Sequence, residues 1–167
     1  MLTRNMAVRA GVLLAALAPA PAFAATASST LNVDATVTAN CTVSTSALSF
    51  GNVDPLGGSD VDASGGITVT CTNGTDWSAA AGIGSGSGAS YAARRMSAGA
   101  DLLAYNIYTD AGRTSVWGDG TGATDTIDST GTGAVQNVTV YGRVPSGQTS
   151  VPPGGYSDTV AVTVTYN

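Results

Sequence analysis

Apolar residues recur at every second position through much of this chain, with Thr, Ser and Asp between them, and that alternation restricts the fold more than any other feature. Leu31, Val33, Ala35 and Val37 alternate with Asn32, Asp34, Thr36 and Thr38, while Ile67, Val69 and Cys71 alternate with Thr68, Thr70 and Thr72. Trp77, Ala79, Ala81 and Ile83 continue the pattern, as do Val138, Val140 and Val144 and, last, Val160, Val162, Val164 and Tyr166. A period of two turns one face of a strand to a core and the other to water, so each run predicts a half-buried strand. No run after residue 24 has a helical period. Residues 25–167 hold 21 Gly, 22 Thr and 17 Ser but no Lys or Glu, a composition that favours strands and turns over helices. Asp54-Pro55, Gly57-Gly58, Gly65-Gly66, Asn73-Gly74, Asp119-Gly120 and Pro152-Pro153-Gly154-Gly155 read as the turns between runs. Short strands separated by turns predict an all-β sandwich.

The first 24 residues read as an address. Arg4 and Arg9 form a positive n-region, Ala10 to Ala18 an apolar stretch, and Ala22-Phe23-Ala24 a small-x-small cleavage site, which together make a secretory signal peptide. Ala25-Thr26-Ala27 offers a second cleavage site. The apolar stretch is well short of the ~20 residues that span a bilayer, and no later stretch approaches that length, so export without a transmembrane anchor is expected. In an oxidising compartment the two cysteines, Cys41 and Cys71, read as one structural disulfide. Closing that loop stabilises the fold by roughly 3–4 kcal/mol in the chain-entropy model.

Several functions are excluded by what is missing. The whole chain has 6 Arg against 11 Asp, a net charge of −5, and losing Arg4 and Arg9 takes the exported chain to −7. Such an acidic surface argues against nucleic acid and anionic membranes as partners. With no histidine, Ser-His-Asp and Cys-His nucleophile activation and histidine metal ligation are impossible. Gly82 to Gly88 lacks the Lys-Ser/Thr ending and strand-to-helix context of a phosphate loop, and reads as a flexible loop. Asp119 to Asp125 fails the spacing of a helix-loop-helix calcium site and reads as a Gly-rich turn. Nothing pairs two aspartates as acid and base, and the three Asn-x-Thr matches at Asn40, Asn73 and Asn137 are expected by chance in a Thr-rich chain. No catalytic residue, metal or cofactor is expected.

The two ends of the exported chain carry the informative rows. Leu31, Val33, Ala35 and Val37 precede the cysteine-anchored strand, and two readings are open: the row pairs within its own sheet, or it is added to a neighbouring subunit, backbone bonds giving affinity and alternate side chains filling pockets. Strand addition between different surfaces of one molecule does not close, and repeats into a filament. Tyr156 to Asn167 reads as a strand with no further strand to pair with it. If it lies beside a gap in the sandwich, the open edge is a hazard until something fills it.

Leu48-Ser49-Phe50-Gly51, Val69-Thr70-Cys71-Thr72, Arg95-Met96, Leu103-Ala104-Tyr105-Asn106-Ile107-Tyr108, Trp117-Gly118-Asp119-Gly120, Tyr141-Gly142-Arg143 and Gly155-Tyr156-Ser157-Asp158-Thr159-Val160 together resemble the spore coat protein U domain family, which includes the Csu-type pilins of archaic chaperone-usher pili. The resemblance covers essentially the whole exported chain, in order. It implies an incomplete immunoglobulin-like β-sandwich lacking its last strand, completed by donor-strand exchange. After the signal peptide (residues 1–24), an N-terminal donor segment (25–37) and a sandwich domain (38–167) follow from it. So do the partners: neighbouring pilin subunits in a head-to-tail homopolymer, a periplasmic chaperone and an outer-membrane usher. Leu31, Val33, Ala35 and Val37 take the donor positions, Ala35 being small for one, and Val160, Val162, Val164 and Tyr166 the strand that the chaperone grips. The expected function is a non-enzymatic subunit of a surface pilus serving adhesion and biofilm formation, assembled in the periplasm and displayed on the cell surface. The rival is a secreted coat or matrix protein whose own N-terminal strand completes the domain. Trp117, Tyr105, Tyr108, Phe50 and Tyr156 read as core or groove aromatics, with a carbohydrate platform as the alternative. Arg95 and Arg143 are candidates to pair with Asp101 or Asp158.

Overall fold

A computed structural model describes residues 21–167; the charged and apolar stretches of the signal-peptide reading lie outside the described residues. The chain divides into two units at Ala35/Thr36. The second, Thr36–Asn167, holds every strand among the described residues: β1 (Cys41–Ser46), β2 (Val61–Cys71), β3 (Asp76–Ala81), β4 (Arg94–Ala98), β5 (Asp101–Tyr108), β6 (Ile127–Thr130), β7 (Gln136–Val144) and β8 (Val162–Tyr166). All are antiparallel, in a five-stranded sheet of order β1-β2-β7-β5-β4 and a three-stranded sheet of order β6-β3-β8. Among the described residues no helix is long and apolar enough to cross a membrane.

The alternating rows build the core. Ile67, Val69 and Cys71 of β2, Val140 and Val144 of β7, and Leu103, Tyr105 and Ile107 of β5 are buried from the larger sheet; Trp77, Ala79 and Ala81 of β3 answer from the smaller one. Burying a Val, Leu or Ile side chain fully contributes ~1.5–3 kcal/mol, so these rows select the two-layer arrangement. Small side chains at Ala79 and Ala81 leave room for Trp117, whose indole is 2% exposed and donates from Nε1 to the Ala79 carbonyl at 2.9 Å. Cys41 and Cys71 stand opposite each other in the β1–β2 register and are joined by a disulfide of 2.01 Å, which ties neighbouring strands of one sheet.

Three expectations are corrected. Residues 31–37 form no strand; Leu31, Val33 and Val37 are 87%, 83% and 84% exposed, so the row is not half-buried. Gly65-Gly66 is no turn but the middle of β2, opposite Val140 and Thr139 of β7. Glycine sits there because another backbone comes close: a Cβ on Gly65 would lie 3.0 Å from the Leu48 Cβ and 3.2 Å from the Ala47 carbonyl. Arg143 pairs with neither Asp101 nor Asp158. It grips Asp62 bidentately at 2.7 and 2.9 Å and lies 3.3 Å from Asp60, because β7 is registered against β2 with Asp62 opposite Arg143. Arg95 donates to the Ser87 carbonyl at 3.3 Å.

Candidate functional site

Five strands facing three leave part of the larger sheet's inner face without a cover. The result is a groove of about 1040 Å³, floored by Ile67, Val140, Leu103, Tyr105, Ile107 and Trp117, that is, by the core itself. Segments 45–55 and 151–160 form its two walls. Neither wall is part of a sheet along most of its length, so each must be held by other means.

The first wall is seated by glycines. Leu48 and Phe50 lie over Gly142 of β7, where a Cβ would come within 2.7 Å of Leu48 Cδ2 and 2.9 Å of Phe50 Cζ. Phe50 then meets Tyr105 edge to face, ring centroids 6.0 Å apart. The second wall is clipped to the edge of β4 by reciprocal backbone bonds, Ser97 N to Ser157 O at 2.9 Å and Ser157 N to Ser97 O at 3.1 Å. It is also held by Asp158, which is partly buried. Its Oδ2 accepts from the Tyr105 hydroxyl and its Oδ1 from the backbone N–H and hydroxyl of Ser85, each at 2.7 Å. Burial raises the Asp158 pKa, but these hydrogen bonds outweigh it and leave the carboxyl below its ordinary value. Tyr105 is pushed up, first by burial and then by the carboxylate it bonds.

Beside the groove lies a fully buried cation. Arg94, 0% exposed, gives two N–H groups to the Gly82 carbonyl at 2.9 and 2.7 Å, one to Asn106 Oδ1 at 2.6 Å and one to the Trp117 carbonyl at 2.6 Å, with its guanidinium 5.5 Å from the Tyr91 ring centre. Burial pulls its pKa down from the usual value. A guanidinium has five N–H donors in a planar fork and remains charged, so it can bind three acceptors from different elements at once.

The expected site residues fall in separate places. Val160, Val162 and Val164 are half-buried against the core, with Val160 and Val162 at the groove, and Tyr166 is 39% exposed. Val160 precedes the strand; Val162, Val164 and Tyr166 stand on β8, which ends the smaller sheet, paired with β3 on one side and open on the other. At the end of the larger sheet β1 is exposed on both faces from Thr42 onward, Val43 included. The apolar row at 31–37 stands exposed, outside any sheet. Phe50, Tyr105, Trp117 and Tyr156 line the groove; Tyr108 does not. Asp119, in the turn weighed for calcium, has its carboxylate taken by Thr121 N–H and hydroxyl at 3.0 and 2.7 Å. Sequence reasoning missed Arg94 and the holding role of Asp158, although Asp158 stands within one of the recurring motifs.

The Spore Coat Protein U domain family matches residues 27–163. Protein U of Myxococcus xanthus is 38% identical over 179 aligned positions, which take in 98% of this chain and 97% of that protein. Among solved structures, a chain in the crystal structure of the CsuC–CsuE chaperone–tip adhesion subunit pre-assembly complex, from the archaic chaperone-usher Csu pili of Acinetobacter baumannii, superposes with a TM-score of 0.55 at 22% identity. The match covers 77% of this chain and 40% of that one, and it is a likeness of fold.

Proposed function

The chain belongs to the spore coat protein U domain family, and from that premise we propose that it is a structural subunit of a surface pilus of the archaic chaperone-usher type. Residues 31–37 of one copy fill the groove of the next, after a periplasmic chaperone has held the open edge of β8 and an outer-membrane usher has received the subunit. The role is mechanical, with no catalysis, and serves adhesion and biofilm formation at the cell surface. Its segments are the signal peptide (1–24), the donor (25–37) and the sandwich (38–167).

One observation carries the reading: the chain presents an apolar groove and an apolar row, and the short link between row and β1 resists folding back. Thr72 N–H donates to the Asn40 carbonyl at 2.9 Å and Asn40 N–H to Thr72 Oγ1 at 3.1 Å, so Asn40 already lies alongside the end of β2. That leaves Thr38 and Ala39 to turn the chain into a hairpin against β1. Two-residue hairpins need positive φ at one or both turn positions, which suits Gly or Asn and is costly for β-branched Thr. Among the described non-glycine residues only Arg113 has positive φ. A row that stands outside its own sheets is available to a second copy, and because row and groove are different surfaces, the joint propagates head to tail.

The family description, Spore Coat Protein U domain, suits a second reading, a secreted coat or matrix protein whose own N-terminal strand completes the domain. A denaturing gel of surface-sheared material, unboiled against boiled, separates the two when run beside a variant lacking residues 25–37. A ladder that collapses on boiling and is absent from the variant is expected. A lone monomer band from exported, unmutated protein would overturn the pilus reading.

A further inference from the structure

An apolar slot open to water ought to shut, since each Å² of apolar surface it buries is worth ~25 cal/mol. Something must hold these walls apart. Tyr105 rises from the floor of the groove on β5 and meets both walls: its ring packs edge-on against Phe50 of the first, and its hydroxyl donates at 2.7 Å to Asp158 of the second. Asp158 is fixed in turn from the far side by the backbone N–H and hydroxyl of Ser85. Ser85 belongs to the glycine-rich run, which the sequence marks as a loop without a role. Its glycines are needed for this grip: Gly84 has φ +89°, and a Cβ there would overlap the Asp158 carboxylate, while a Cβ on Gly86 would overlap the Arg95 carbonyl.

The geometry points to the Tyr105–Asp158–Ser85 chain as a strut that sets the width of the groove and keeps it ready for an incoming strand. Tyr105 and Asp158 are positioning residues, and the inference rests on the groove being a strand acceptor. The aromatic ring is a rigid spacer of fixed length. The carboxylate is the one group on the second wall that reaches both the floor and the 82–88 loop. Without the hydroxyl, the ring still fills its place but no longer tethers the second wall, and the apolar surfaces are free to approach.

Tyr105→Phe and Asp158→Asn test this in the full exported chain, with three readouts. The first is uptake of a fluorescent peptide copying residues 28–39, followed by anisotropy; the second is the emission of a hydrophobic dye in the groove; the third is the urea midpoint. Tyr105→Phe should slow peptide uptake about tenfold, the equivalent of one net hydrogen bond, and reduce dye emission as the walls close, while the urea midpoint falls by no more than the loss of that one bond. A role confined to stability would instead lower the midpoint while leaving peptide uptake unchanged and dye emission equal or higher. Unchanged uptake and dye emission in both variants overturn the strut. If the unmutated chain refuses the peptide yet loses dye emission in the variants, the strut stands and the strand-acceptor reading falls.

Discussion

Replacing Arg94 by Leu tests whether the buried guanidinium holds this domain together or is merely tolerated. The substitution removes a fork that serves three acceptors. Asn106 Oδ1 keeps a partner in the Ile107 N–H at 3.0 Å, but the Gly82 and Trp117 carbonyls lose the side-chain donors that reach them. A buried acceptor left without a partner costs about 1–3 kcal/mol, and the lost stacking on Tyr91 adds ~0.5–1 kcal/mol. Relief from burying a cation acts in the other direction, so the net loss should be about 3 kcal/mol. With a urea dependence of about 2 kcal/mol/M for a domain of this size, the unfolding midpoint should fall by roughly 1.5 M. The assay is urea denaturation of the exported chain with its disulfide intact, followed by Trp emission, because Trp117 accepts one of the affected bonds. Arg94→Lys retains the charge with three donors on one nitrogen, which cannot reach all three acceptors from the same place, so it should lose part of the same amount. A loss below ~1 kcal/mol for Leu would refute the reasoning, since desolvation would then cancel the bonds. A Lys variant as stable as the parent would refute the geometric part alone.

Two further outcomes are expected. Gly142→Val should push Leu48 and Phe50 off β7 and cost about 1–3 kcal/mol in urea denaturation, while Gly147→Ala, at a positive-φ turn with open space around it, should lose less; equal losses would mean that the first wall is not seated on Gly142. Acid should destabilise the domain: Asp62, held low chiefly by Arg143, and Asp158, held low by its donors against the pull of burial, both have folded pKa values below the ordinary range near 3.9, so their contribution is complete above that range and lost as pH falls through the lowered values. With no histidine to titrate, urea midpoints should be flat from about pH 5 to 8 and decline below about pH 4; a midpoint that rises on acidification would contradict this.

Much of the fold was legible in the rows at 67–71, 77–81, 138–144 and 162–166 because those strands have one wet face and one dry one, the condition under which alternation records geometry. β5 was not legible. Asn106 is buried between Tyr105 and Ile107, its amide donating to the Tyr91 and Ala92 carbonyls and its oxygen accepting from Arg94, so three buried residues stand in succession and the period is lost. β4 hid for a related reason: a charged residue reads as solvent-facing, yet Arg94 points inward because three acceptors from elsewhere in the chain meet it. Gly65-Gly66 misled in the opposite sense, since a glycine pair signals a turn locally, and only the tertiary approach of Ala47 and Leu48 explains it as strand. The row at 31–37 has the alternation of a strand, yet it lies outside every sheet of the described chain. Period two records that a segment suits a pleated, half-buried surface; it carries no information about which molecule supplies that surface.

The polar and glycine positions that escaped the sequence act on one problem. A five-stranded sheet under a three-stranded one must either collapse onto its uncovered floor or be kept open at a cost in stability, and here Arg94, Asp158, Gly65 and Gly142 all lie where the walls and floor are fixed in place. The free domain therefore gives up apolar burial that a strand of the right pattern returns. Leu31, Val33 and Val37 are exposed by more than four-fifths each, so their transfer into such a groove recovers roughly 1.5–3 kcal/mol apiece, before backbone bonds to the open edge of β8 are counted. If the groove is a strand acceptor as proposed, stability and assembly are linked by mass action: an occupant that binds the folded groove stabilises the fold. Changes that stabilise the empty domain by closing the groove should then weaken assembly.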